Sequence, residues 1–155
     1  MNCVRISKYD ENVNVHTDEW TSISDIGKKF KNKILTYDEY LLIENHYINC
    51  IVEIMTLASQ TLFRVENLEK YSKVQWTENQ LININDMIKI VRDCLREKCW
   101  ARLIGDNSYV HIGYDFYIYV GVSIDLSTIF KIVKNNQLYC KEMISPYLYL
   151  DIDDE

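Results

Sequence analysis

The chain is 155 residues long, 48% hydrophobic and 26% charged, with 17 basic and 23 acidic side chains and a net charge of −6. That size supports one domain whose core needs no metal or disulfide, and the composition excludes wholesale disorder. An acidic balance argues against binding a phosphate backbone, which needs a surplus of Lys and Arg on one face. One proline and four glycines leave little material for flexible linkers or glycine-rich phosphate loops. Tyrosine is abundant, 12 residues, and suits a surface that binds protein because its rigid apolar ring carries a polar tip.

The five cysteines, Cys3, Cys50, Cys94, Cys99 and Cys140, form no CxxC pair and no zinc-ligand spacing. Cys50 and Cys94 fall among apolar helical positions, where a buried inert thiol is expected. The N-terminal run has no basic segment followed by an apolar one. No stretch approaches the ~20 apolar residues that span a bilayer. A cytoplasmic protein is expected, with no membrane and no nucleic-acid partner.

Residues 2–7 read as a short strand and 9–18 as a polar loop containing His16. A short helix is expected within 19–30, capped by Ser22 or Ser24, with Ile23, Ile26 and Phe30 at helical spacing. Thr36, Tyr37, Asp38 and Glu39 then make a capping box, with Leu35 and Tyr40 at staple positions. Tyr40, Tyr47, Ile48, Ile51, Met55 and Ala58 form an apolar stripe, so a helix is predicted over 37–59. Residues 61–65 suit a strand or extended turn, and 66–80 are ambiguous. A second helix is predicted over 84–98, capped by Asn83 or Asn85, with Met87, Ile88, Val91, Cys94 and Leu95 on one face and cations near its end.

From Trp100 the period changes. Residues 100–104, a turn at 105–108 and a strand over 109–122 read as an antiparallel hairpin. Val110, Ile112, Tyr114, Phe116, Ile118, Val120 and Val122 share one face; His111, Gly113, Asp115, Tyr117, Tyr119 and Gly121 share the other. Gly113, or the step from Tyr114 to Asp115, could instead divide that strand by a bulge or turn. A short crossover helix over 127–134 and a last strand over 138–144 follow, ended by Ser145 and Pro146. The whole reads as one domain over 1–155, with an N-terminal strand and loop over 1–18 and an acidic tail over 148–155. The expected fold is α+β, with long core helices packed on a small antiparallel meander and one short crossover helix.

The chain carries no GxSxG, HExxH, phosphate-loop or dinucleotide motif, and His16, His46 and His111 have no metal-ligand spacing. Glu44 and His46 lie two apart on a helix and point to different faces. A non-enzyme without cofactor or metal is therefore expected. Trp76 and Trp100 are expected as core anchors, while Trp20 stays open. The hairpin is the candidate partner-binding surface: His111, Asp115, Tyr117 and Tyr119 on its second face, with Asp106 on the turn. That face either stays exposed or is covered by another layer. Residues 101–155 hold eight acids against four bases, whereas 61–100 hold six against seven.

The run EWTSISDIGKKFKNKILTYDEYLLIENHYINCI, then WARLIGDNSYVHIGYDFYIYVGV and the closing ISPY, resembles small bacterial immunity proteins of polymorphic-toxin and contact-dependent growth inhibition systems. The resemblance covers most of residues 19–147. It implies a cytoplasmic, non-enzymatic protein that neutralises one cognate, basic toxin domain, often a nuclease, by covering its active site or a neighbouring surface. Two other readings are a small enzyme centred on His111 and Asp115, and a structural or adaptor subunit.

Overall fold

The computed structural model describes residues 1–13 and 18–149, so the loop around His16 and the acidic terminus DIDDE lie outside it. Within those bounds the chain forms strands β1 (Asn2–Ser7), β2 (Lys29–Phe30), β3 (Lys33–Ile34), β4 (Leu62–Lys70), β5 (Leu81–Asn83), β6 (Cys99–Gly105), β7 (Ser108–Ile112), β8 (Ile118–Val122) and β9 (Tyr139–Glu142). The helices are α1 (Tyr37–Leu57), α2 (Ile84–Leu95) and α3 (Leu126–Asn135). Seven strands build one antiparallel sheet in the order β5-β4-β6-β7-β8-β1-β9.

The mixture of helices and antiparallel strands agrees with the expected class, but the proportions differ. The sheet is the main element, not a small meander beneath long helices. The difference arises from β4, which runs nine residues through the segment that gave no clear period. A bulge between Glu66 and Glu69 breaks its alternation there. Asn67 adopts the left-handed conformation at the bulge, and the Asn67 and Leu68 amides donate to the Glu78 carboxylate. The expected helix at 19–30 is reduced to a single 3-10 turn, Ile23–Asp25, capped by Ser22. After it Gly27 takes a positive φ of 93°, and the chain continues as the small ladder β2-β3.

Inward residues of the strands (Val4, Ile6, Phe63, Val65, Ala101, Leu103, Val110, Ile112, Ile118, Val120 and Val122) join the apolar faces of all three helices in one core. α1 follows its predicted cap closely: Thr36 accepts from the Glu39 amide at 3.2 Å. Asn83 caps α2 in the same way through the Asp86 amide. Each helix then ends in a Schellman turn whose left-handed residue is not glycine: Ser59, Glu97 and Gln137. After α3, Leu138 N donates to Val133 O and Gln137 N to Lys134 O, and the buried Leu138 closes the turn. A left-handed residue with a Cβ costs on the order of 1 kcal/mol relative to glycine. Gln137→Gly should therefore raise stability by about 0.5–1 kcal/mol in urea unfolding; a loss would mean that the Gln137 side chain contributes a contact of its own.

A buried ion cluster ties α1 to α2. The fully buried Glu44 carboxylate receives the Arg96 Nε and a second Arg96 nitrogen, both at 2.9 Å, an Arg92 nitrogen at 3.2 Å and the Tyr40 hydroxyl at 2.7 Å.

Candidate functional site: the loop and cleft at the sheet end

β7 and β8 are joined by residues 113–117, a tight loop where the predicted single strand divides. The Gly113 amide donates to the Tyr117 carbonyl at 2.7 Å, and the Tyr117 amide to the Tyr114 carbonyl at 3.0 Å. Asp115 and Phe116 both take left-handed conformations, at φ 57° and 64°. Two such residues in succession, one a bulky aromatic, hold strain of order 1–3 kcal/mol each, which persists only where the surroundings over-determine it. Here Phe116 supplies the anchor. Its buried ring makes edge contacts with Trp20, Tyr47 and Tyr40 at 5.1, 5.5 and 6.0 Å. The Tyr47 hydroxyl donates to the Phe116 carbonyl at 2.7 Å, and burial keeps that phenol protonated by raising its pKa well above the ordinary value. Gly113 suits the turn, because a Cβ there would sit a tight 3.0 Å from the Tyr117 carbonyl and the Tyr119 ring, which would have to give way by a few tenths of an ångström. Tyr114 and Asp115 are thereby held up to solvent, Tyr114 with 81% of its surface exposed.

Behind this loop lies a cleft of about 390 Å³. Its buried lining comes from Cys94 and Leu95 at the end of α2, Cys99 at the start of β6, and Ile112 and Phe116. Trp100 forms one wall, fixed by its Nε1–H bond to the Ile112 carbonyl at 2.6 Å. Exposed residues at the mouth are Tyr71, Glu97, Tyr114 and Asp115. The Tyr71 hydroxyl donates to Glu69 at 2.7 Å, which pushes its pKa up to about 12. Among the described residues no Lys or Arg lines the cleft. An apolar floor with two carboxylates at the mouth matches a side chain with an apolar stem and a cationic end, or an aromatic ring approached by a basic neighbour.

Of the two alternatives left open for the other face of the hairpin, exposed or covered, the structure shows the covered one. Cross-strand register aligns Glu66, Arg102, His111, Tyr119, Arg5 and Lys141 in one row. The C-terminal segment after β9 crosses that row. The Met143 amide donates to Cys3, Ser145 Oγ lies 2.7 Å from His111 Nδ1, and Arg102 donates to the Tyr147 carbonyl at 2.9 Å. The Tyr147 ring packs edge-on against Trp100 and Tyr119. His111 is fully buried and Tyr119 retains only 7% exposure. Neither is available to a partner on the surface. Tyr117 is half-buried with Arg5 over its ring at 4.4 Å. Asp106 is exposed, but in the β6–β7 turn, at the far end of β7 from the loop that carries Asp115. Of the five expected binding residues, Asp115 lines the cleft and Tyr117 shares its loop without lining the cleft, while Asp106, His111 and Tyr119 lie elsewhere.

No family model, curated protein or solved structure matches this chain.

Among the described residues no group of three or more His, Cys, Asp or Glu is placed to hold a metal ion, and no helix is long and apolar enough to cross a membrane. Sequence reasoning missed Tyr71, Glu97, Trp100 and Tyr114 as parts of one site. Tyr114 shared the parity of the core residues and so read as inward. The signal that marks it outward is the break beginning at Gly113, after which parity no longer carries over. Trp20, left open in the sequence, is a core residue against Tyr40 and Phe116, with Lys8 Nζ 4.2 Å above its ring.

Proposed function

We propose that this chain is an inhibitory binding protein of the immunity type, which neutralises a cognate basic toxin domain by docking the sheet end around Tyr114 and Asp115. The observation that carries this reading is the strained, anchored loop. Phe116 fixes the backbone, so the exposed aromatic and its neighbouring carboxylate are presented with little ordering cost on binding. A rigid tyrosine beside a cleft has the character of an interface hot spot, and carboxylates at the rim act mainly on association rate and specificity. The net charge of −6 supports attraction to a basic surface. A toxin Lys or Arg entering the cleft between Asp115 and Glu97 would fill it with both stem and charge.

The test is co-expression with the toxin domain encoded beside this gene, scored by host survival and by complex formation at low and high salt. The wild type should rescue growth and form a complex whose association slows as salt rises. Tyr114→Ala should weaken binding by roughly thirty-fold or more, the scale of a hot-spot truncation. Asp115→Lys should slow association and flatten its salt dependence. Both positions are exposed, so unchanged melting would show that the fold is intact. Absence of rescue and complex would overturn the function; rescue unaffected by both substitutions would overturn the site.

A further inference from the structure

We propose that Cys94 and Cys99 form a peroxide-responsive dithiol that closes to a disulfide at the floor of the cleft. The two sulfurs lie 3.7 Å apart, and both residues line the cleft through which a small oxidant can reach them. Their approach is built into the backbone. The Schellman turn ending α2 bonds the Lys98 amide to Asp93 and the Glu97 amide to Cys94, with Glu97 left-handed at φ 60°. This reversal brings the first residue of β6 over the last turn of α2, a fixed juxtaposition of thiols five residues apart. Among the described residues neither belongs to a metal-binding group, and Cys94, buried as its apolar setting suggests, has a thiol neighbour.

The two thiols are unequal. A hydrogen bond from Cys94 to Cys99 favours the Cys99 thiolate and lowers its pKa, against the effects of burial and of Asp93, while Lys70 adds a smaller favourable field. That same bond, with burial, raises the Cys94 pKa well above the ordinary value. Cys99 is therefore the attacking sulfur. Its thiolate attacks one oxygen of hydrogen peroxide, the O–O bond breaks, and the departing hydroxide takes up a proton to leave as water. Cys99 is then a sulfenic acid. Cys94 attacks that sulfur as it loses its proton, the S–O bond breaks, and the hydroxyl leaves with the proton as a second water. Two thiols and one peroxide give one disulfide and two waters. The other cysteines are less suited: burial pushes the Cys140 thiol up to about 12 and raises that of Cys50 further, and Cys3 has no thiol neighbour within bonding distance among the described residues.

The experiment treats the intact native protein briefly with hydrogen peroxide, blocks remaining thiols and maps tryptic peptides without reduction. Titratable thiols should fall by two and return on treatment with dithiothreitol. The peptide Asp93–Arg96 should be joined to Cys99–Arg102. In Cys94→Ser the sulfenic acid on Cys99 has no resolving thiol, so it should accumulate as a dimedone adduct, whereas Cys99→Ser should give none at Cys94. If either variant fails to fold, the wild-type peptide map decides. Oxidation that falls first on Cys3 or Cys140, or a pair that stays reduced while those react, would overturn the proposal.

Discussion

Replacing Glu44 by Ala should destabilise the protein by about 3–5 kcal/mol, the scale found when one partner of a buried ion pair is removed. The carboxylate is fully buried, and Arg96 and Arg92 approach it from α2 while Tyr40 bonds it from one turn earlier on α1. Deleting it leaves the partly exposed Arg92 and Arg96 guanidinium groups one turn apart at the end of α2 without the carboxylate that both of them bind. The Tyr40 hydroxyl, whose pKa is raised by burial and by Glu44, loses its acceptor too. Glu44→Gln keeps the volume but not the charge and should lose less. The triple replacement Glu44→Met, Arg92→Leu, Arg96→Met should recover much of the loss, because it removes the desolvation penalty together with the attraction. Urea midpoints for the three proteins decide the matter. A loss below about 1 kcal/mol for Glu44→Ala would mean that the cluster behaves like a solvent-exposed pair.

That cluster shows what the sequence alone could and could not yield. The α1 cap and stripe were legible because Thr36, Glu39 and the apolar repeat are local signals, written within one turn of one another. Glu44 was assigned only a direction on that helix, since its partners lie 48 and 52 residues later on α2. The helix ends were obscure for a related reason. Ser59, Glu97 and Gln137 take left-handed conformations normally signalled by glycine, so α2 was extended to 98 although its turn begins at Arg96. The edge strand β5 was missed because three residues carry no measurable period.

The candidate site was half legible. Alternation correctly divided β7 and β8 into inward and outward sets, Val110, Ile112, Ile118 and Val120 against His111 and Tyr119. It could not reveal that the outward set would be covered by residues 143–149, because that contact joins positions some 34 residues apart. It placed Phe116 and Tyr114 together on the inward face; Phe116 does turn inward, into the Trp20, Tyr40 and Tyr47 pocket, but Tyr114 turns out to solvent because the strand breaks at Gly113. In sequence, His111 and Tyr119 read as part of a binding face. In the fold their row is a polar layer held by the C-terminal crossing, and Tyr114 and Asp115 stand at its end.

The same layer makes the protein acid-sensitive through His111. Burial, with a smaller effect from Arg102, lowers the His111 pKa from its ordinary 6.5 to about 3, so the ring is neutral in the folded protein at neutral pH. Tyr109 stacks on it at 4.3 Å, Ser145 bonds its Nδ1, and its Nε2 has no partner among the described residues. In the unfolded chain the ring takes up its proton near pH 6.5. Between 6.5 and 3 the unfolded state therefore binds more protons, and stability rises with pH across that window. The contribution is complete above 6.5 and is lost as the pH falls toward 3, at about 1.4 kcal/mol per unit and on the order of 3–5 kcal/mol in all. Carboxylates such as Glu19 and Asp25, whose pKa values are lowered by their bonds to Lys31 and to the Thr21 amide, add their own loss only lower in the range. Urea unfolding at half-unit intervals from pH 7 to pH 4 separates the two effects, since His111→Gln cannot titrate. The variant should begin less stable at pH 7 but lose stability more slowly between pH 6.5 and 5, where carboxylates contribute little. Parallel slopes in that interval would place the His111 proton on the folded protein as readily as on the unfolded chain. The crossing segment would then be an open cover that admits water to the imidazole, and the row beneath it would regain its claim as a binding face.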